Sequence, residues 1–267
     1  MLDLSTIRGL LIDIDGTLLR GRLPLPGMRE IFTFCREHKI KTCITSNNSV
    51  TTTEQMQQRF ARMGVELEEN EIVTSSVATC HYLRRNFPQG GLAYVIGQQG
   101  IFTAVNKAGL EIVDNGHQPV DVVVVGGDYQ LTYEKLKNAC LHIRRGAMFI
   151  GTNPDVVYPA EEGFLPETGT TLAALRAATG VEPMVIGKPE KYLFESALLQ
   201  LQLPVGEIAM LGDRLDTDVL GAKRIGMAAI LVETGIDNEA SAQASETVPD
   251  LIVKDLPDLM ERWQAFF

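Results

Sequence analysis

The chain has 267 residues, 45% of them hydrophobic and 22% charged, and a net charge of -10 at neutral pH. That is the composition of a folded globular protein, with enough chain for one large domain or two modest ones. It argues against a nucleic-acid partner, because phosphate backbones are gripped by basic stripes and the densest basic pairs here are only Arg84-Arg85 and Arg144-Arg145.

Taken in chain order, short apolar runs alternate with amphipathic segments. The first run, 7–12, leads straight into Asp13-Ile14-Asp15-Gly16-Thr17. Side chains alternate along an extended chain, so Asp13 and Asp15 can share a side while Ile14 points away. Two like charges that close raise a carboxyl pKa unless compensated, and a hard divalent cation with oxygen ligands such as Mg2+ is the usual compensation. Pro26-Gly27 punctuates the entry to a first helix, and the run 40–44 ends at Thr45-Ser46-Asn47-Asn48-Ser49. Met56, Phe60 and Met63 recur at helical spacing, with Gly64 after them as a stop signal. Further strand-like runs fall at 92–96, 120–125, 148–150, 184–186, 208–211 and 228–232, and Tyr133, Leu136, Cys140 and Ile143 mark another helix. Segment 237–249 reads as a polar loop, and Trp263 with Phe266-Phe267 as the packing face of a last helix. Continuous apolar runs suit strands covered on both faces, and their alternation with helices predicts a parallel α/β sheet. No linker interrupts the chain, so a second domain is expected as an insertion, with the chain crossing between lobes twice.

Cys35, Cys43, Cys80 and Cys140 are widely spaced and form no C-x-x-C. They read as core residues of a reducing compartment, not as a disulfide framework or zinc site. The four histidines form no ligand-spaced pair. The first residues carry no signal-like segment and no run is long enough for a bilayer, so a cytoplasmic protein without membrane contacts is expected.

Ligands of open α/β sheets bind beyond the carboxyl ends of the strands. Four such ends carry polar chemistry: Asp13 and Asp15; the hydroxyl and amide cluster 45–49; Gly187-Lys188-Pro189; and Gly212-Asp213 with Asp216 and Asp218. Each alone reads as well as a turn, a solvated charge or a helix cap. Together they fit one chemistry, in which a carboxylate attacks phosphorus while a metal and a lysine neutralise phosphoryl oxygens.

The four segments resemble the motifs of the haloacid dehalogenase superfamily phosphatases. The Ser46-Asn47-Asn48-Ser49 turn, the segment Gly151-Thr152-Asn153-Pro154-Asp155 and the long insertion between second and third motifs resemble the NagD-like, type IIA branch. The resemblance implies a Rossmann-like parallel core over 1–78 and 183–267 and an inserted α/β C2-type cap over 79–182. It implies a phosphomonoesterase acting on a small phosphorylated metabolite, a sugar phosphate or nucleoside monophosphate. It makes Asp13 the nucleophile and Asp15 the acid and base. Ser46, the Asn47 amide region and Lys188 would hold the phosphoryl group. Asp13, the Asp15 carbonyl and Asp213 would bind Mg2+, with Asp218 supporting the metal waters from behind. Ser46 stands where relatives commonly have Thr, and the hydroxyl survives the change. Oligomeric state stays open at this stage.

Other features take plainer readings. Gly127-Asp128 mimics Gly212-Asp213, but five residues on stands Tyr133 where the other has Asp218, so Asp128 is expected to be a structural loop residue. Gly187-Lys188 lacks the Ser or Thr and the upstream glycine of a P-loop, and no G-x-G-x-x-G follows a strand. Glu161, Glu162 and Glu167 read as a solvated loop, while the resemblance raises Asn153 and Asp155 towards the site. The competing reading is a non-catalytic phospho-acceptor module such as a receiver, which is shorter and lacks the insertion. A phosphomutase fits less well, since such enzymes usually carry a helical cap after the first motif.

Overall fold

The computed structural model describes residues 2–160 and 163–267, so the expectation for Glu161 and Glu162 lies outside the described residues. From the N-terminus the chain forms β1 (Gly9–Ile12), a short hairpin of β2 (Leu19–Arg20) and β3 (Leu23–Pro24), α1 (Met28–Glu37), β4 (Lys41–Ser46), α2 (Thr53–Arg62) and β5 (Ile72–Thr74). There follow α3 (Ser75–Asn86), β6 (Gly91–Ile96), α4 (Gln99–Lys107), β7 (Leu110–Val113), β8 (Val122–Val125), α5 (Tyr133–Arg144) and β9 (Met148–Gly151). A second hairpin, β10 (Val157–Ala160) and β11 (Gly163–Pro166), precedes α6 (Thr168–Thr179) and β12 (Met184–Val185). The chain ends with α7 (Lys191–Leu201), β13 (Ile208–Gly212), α8 (Leu220–Arg224), β14 (Ala228–Val232), α9 (Glu239–Ala244), β15 (Leu251–Val253) and α10 (Leu256–Gln264).

These elements divide into two compact units. One comprises Met1–Ser46, Met56–Val73 and Lys188–Phe267, the other Asn47–Gln55 and Thr74–Gly187. The first holds a six-stranded sheet in the order β15-β14-β13-β1-β4-β5. β1 pairs in parallel with β4 on one side and β13 on the other, and β14 and β15 continue the parallel order. Strand order therefore reverses at β1, which puts the binding crevice of such a sheet at its carboxyl end. Every residue of β1 and β13 is buried, as their unbroken apolar sequences require. Trp263 of α10, fully buried, donates its indole N–H to the Leu4 carbonyl at 3.0 Å, while Phe266 and Phe267 lie exposed beyond the helix.

The second unit holds a five-stranded parallel sheet in the order β12-β9-β8-β6-β7. Its central strand, β8, is four valines with no exposure. The whole is an α/β protein, as the sequence pattern predicts, with the Rossmann-like core and inserted α/β unit that the resemblance implies. The polar segment 237–249 is not all loop: Asn238 and Ser241 cap each other reciprocally and start α9. All four cysteines are free, and Cys35, Cys43 and Cys80 are buried. Among the described residues no helix is long and apolar enough to cross a membrane.

Candidate active site

The site grows out of the carboxyl ends of β1, β4 and β13. The Asp13 amide donates to the Leu211 carbonyl at 2.9 Å, so the first aspartate still rides the sheet. The Ile14 carbonyl then accepts from the amides of Thr17, Leu18 and Leu19, and the chain turns back immediately after Asp15. Gly16 sits in this turn at φ +92°, and a β-carbon there would run into the Asp213 carboxylate. Glycine is needed both for the backbone conformation and for the space. Gly235 presses on the same carboxylate from another side, and Gly212 leaves no room for a β-carbon against Asp218. The backbone thus closes tightly around two buried acids.

Lys188 is the hub. Its ammonium, almost fully buried, donates to Asp13 Oδ1 at 2.5 Å, to Asp218 Oδ1 at 2.6 Å and to the Thr45 carbonyl at 3.4 Å. The other oxygen of Asp218, Oδ2, accepts the Arg214 amide at 3.2 Å. Asp218 rides on a π-helical turn, Leu215–Val219, of the kind that recurs at functional sites. Asp213 accepts the Ile236 amide on Oδ2 at 2.9 Å, whereas its Oδ1 is buried with no hydrogen-bond partner. Carboxylate oxygens of Asp13, Asp213 and Asp218 lie within 4.8 Å of one another. Asp216 turns outward to a surface pair with Arg214.

Burial pushes the Asp13 carboxyl above its ordinary range, against the opposing charge of Lys188. Asp213 rises to about 8, first through burial and then through the charges of Asp13 and Asp218. Asp218 rises to about 6, with burial outweighing Lys188. For Lys188 burial favours the neutral amine, but Asp13 and Asp218 prevail and hold it protonated. Three carboxylates against one ammonium leave two negative charges when all are ionised. A divalent cation cancels that charge, its hard oxygen preference matches the donor set, and the orphaned Asp213 Oδ1 is the lone pair it would take. The residues present therefore fit such an ion.

Asp15 keeps solvent exposure, yet desolvation by the surrounding protein pushes its carboxyl up, opposed by Arg59 and then Lys188, and its charge in turn raises Asp13. Ser46 is buried at the end of β4. Asn47 opens the second unit, where its side-chain amide donates to Asp155 at 2.9 Å. There Asn153 donates to the Asn47 carbonyl at 3.0 Å, and Glu167 accepts the Thr168 hydroxyl at 2.9 Å. Asp128 is tied to Lys135 at 2.6 Å.

Sequence reasoning overlooked the segment after β14. Thr234 donates its hydroxyl to the Gly16 carbonyl at 2.6 Å, and Gly235-Ile236 wraps Asp213. The signal was available, because Thr234-Gly235 follows the apolar run 228–232 just as the other site segments follow theirs. Arg59, whose charge acts on Asp15, sits on α2 and gave no such signal.

Comparison with known proteins places the chain among hydrolases. The family model of the haloacid dehalogenase-like hydrolases covers residues 10–111, and a second HAD-hydrolase-like model covers residues 185–259. An acid sugar phosphatase of Staphylococcus aureus (strain MRSA252) is 40% identical over 92% of this chain and 94% of its own. The p-nitrophenyl phosphatase from Archaeoglobus fulgidus superposes with a TM-score of 0.90 at 32% identity, over 96% of this chain and 99% of its own. A glycerol phosphate phosphatase from Mycobacterium tuberculosis, solved in complex with magnesium, superposes at 0.89 with 30% identity, over 97% of this chain and 78% of its own. Likeness to phosphatases along nearly the whole chain sets aside the non-catalytic acceptor module. The chain belongs to the haloacid dehalogenase-like hydrolases and is a phosphatase of their NagD-like, type IIA branch.

Proposed function

We propose that this phosphatase is a Mg2+-dependent phosphomonoesterase that hydrolyses a small phosphorylated metabolite through an aspartyl-phosphate on Asp13. A sugar phosphate is the favoured substrate class, on the strength of the acid sugar phosphatase relative. The observation that carries the mechanism is the ammonium of Lys188 bridging Asp13 and Asp218, with an unpartnered oxygen of Asp213 beside it.

A carboxylate oxygen of Asp13 attacks phosphorus and the ester P–O bond breaks. Asp15, raised towards protonation and open to solvent, gives its proton to the departing alkoxide. Asp15 then takes a proton from water, whose oxygen attacks the phosphoryl group and frees Asp13 and inorganic phosphate. Lys188 holds Asp13 in place and offsets charge on the phosphoryl oxygens. The Ser46 hydroxyl and the Asn47 amide donate to those oxygens. Asp13, the Asp15 carbonyl and Asp213 would hold the cation. Asp218, with both oxygens already engaged by Lys188 and the Arg214 amide, would orient that shell without entering it. The bound ion would supply Lewis-acid withdrawal of charge from the phosphoryl oxygens.

The test is turnover of p-nitrophenyl phosphate and a panel of sugar phosphates with Mg2+, after EDTA, and after Mg2+ is restored. Activity should vanish on chelation and return with the ion. Activity indifferent to chelation would overturn the metal role. Acid-quenched enzyme should carry one phosphoryl group on the peptide containing Asp13.

A further inference from the structure

The second unit contains a small polar cluster around Asn47 whose other members the mechanism above does not use. Asn153 is 1% exposed, and every polar atom of its side chain is engaged. Its Nδ2 donates to the Asn47 carbonyl at 3.0 Å and to the Thr168 hydroxyl at 3.2 Å, and its Oδ1 accepts the Asp155 amide at 3.0 Å. The amide orientation is not arbitrary. A backbone carbonyl only accepts and a backbone N–H only donates, so the side chain fits one way round. Asp155 in turn accepts the Asn47 side-chain amide at 2.9 Å, and Ser75 donates its hydroxyl to the Asn47 carbonyl at 2.8 Å.

Asn47 is thus held by its carbonyl and by its side chain. Its own Oδ1 packs against Gly187, where a β-carbon would meet it together with the Thr152 carbonyl. The Gly187 amide donates to that same carbonyl at 2.8 Å. These two residues are covalent neighbours of the chemistry: Asn47 follows Ser46, and Gly187 precedes Lys188.

We propose that Asn153 is a positioning residue, which with Asp155 fixes the Asn47 peptide so that the 46–47 backbone presents its donors to the phosphoryl group. The proposal rests on the phosphate-binding reading of Ser46 and Asn47. It assigns to the Asn153-Pro154-Asp155 segment a role in orienting that turn, not in touching substrate. Misplacement of an oriented group by about 1 Å is expensive in rate, whereas metal affinity depends on the other unit's carboxylates.

The experiment compares Asn153→Asp, Asn153→Ala, Asp155→Ala and Asp155→Asn, with Ser46→Ala as the reference. Asn153→Asp keeps the shape but sets a carboxylate against the Asn47 carbonyl. Steady-state p-nitrophenyl phosphate kinetics, inhibition by inorganic phosphate and Mg2+ affinity are measured well below each melting temperature. Asn153→Asp, Asn153→Ala and Asp155→Ala should weaken phosphate inhibition and lower kcat/KM by about ten- to a hundredfold, with Mg2+ affinity unchanged. Asp155→Asn, which retains an accepting oxygen for Asn47, should recover most of the loss. Phosphate inhibition and Mg2+ affinity falling together, or neither falling in the folded variants, would overturn the proposal. If Asn153→Asp fails to fold, Asp155→Ala against Asp155→Asn decides alone. If Ser46→Ala leaves phosphate inhibition untouched, the phosphate-binding reading itself has failed, a result separable from failure of the clamp.

Discussion

Two glycine-aspartate pairs follow buried parallel strands in this molecule, one in each unit, and only one looks reactive. Gly212-Asp213 ends β13, and Gly127-Asp128 follows β8. Asp128 is fully accounted for: Oδ2 holds the Lys135 ammonium at 2.6 Å and Oδ1 accepts the Gln130 amide at 2.9 Å. Asp213 has a backbone amide on one oxygen and nothing on the other, and burial, reinforced by the charges of Asp13 and Asp218, raises its pKa to about 8. The same dipeptide at the same topological place is therefore a fastener in one unit and an unsatisfied acid in the other. Company distinguishes them, since stability alone would pair every buried oxygen.

The sharpest way to break the comparison is to remove the acid at the centre of the reactive cluster. Asp13→Asn should abolish turnover, by at least about 10⁴-fold, because the amide is not a nucleophile and the residues it acts with are non-additive. Circular dichroism should show a folded protein, and single-turnover assays should show no phosphorylated enzyme. Full activity in purified Asp13→Asn would remove the nucleophile assignment. Next in size is Asp15→Asn, at about 10²–10⁴-fold for the loss of proton transfer. Substrates with good leaving groups should suffer less than alkyl phosphates in the phosphorylation step, measured by rapid quench. Equal losses across leaving groups would contradict the acid role.

Much of the reactive unit could be read from sequence because its chemistry sits where strands stop. The unbroken runs 7–12 and 208–211 mark buried strands, and the acids just beyond them follow from the alternation of an extended chain. Lys188 was visible for the same reason, but its bridge between Asp13 and Asp218 joins positions far apart in the chain, and no local pattern encodes it. Arg59 acts on Asp15 from a helix whose spacing speaks only of burial. Short strands such as β5 and β15 carry too few residues to show a period, and they exist because neighbours offer a sheet edge. Helix α9 was hidden by its polar composition, which suits a loop as well as a capped turn. The clamp around Asn153 is the least legible part, because the bonds that tie Asn47 to Asp155 and Asn153 join residues over a hundred positions apart.

Acidity gives a third, smaller contrast. With no cation bound, burial and neighbouring charge raise the Asp213 and Asp218 carboxyls from the ordinary aspartate range to about 8 and about 6. The folded state then holds protons that the unfolded chain has released, so stability falls as pH rises from about 4 through these values, reaching the full loss above about 8. Melting in EDTA should be higher at pH 5 than at pH 8.5, and Asp213→Asn should flatten that slope. Added Mg2+ should favour the ionised carboxylates and raise melting most at the alkaline end, with protons released on binding. A flat EDTA profile in the unsubstituted protein would sink this reading of the cluster.

The smallest effect belongs to the fastener. Asp128→Asn leaves an oxygen to accept the Gln130 amide but sets an amide N–H₂ against the Lys135 ammonium, two donors face to face. Asp128 is nearly inaccessible while Lys135 is partly exposed, so the ammonium can swing to water and relieve part of the conflict. The expected cost is about 1–3 kcal/mol in the stability of the second unit, with kcat and Mg2+ affinity unchanged. Double-mutant analysis with Lys135→Met should return a coupling energy, since the methionine removes the unpaired donor. A loss of Mg2+ binding in Asp128→Asn would instead make the two glycine-aspartate pairs chemically alike and erase the distinction drawn from their neighbours.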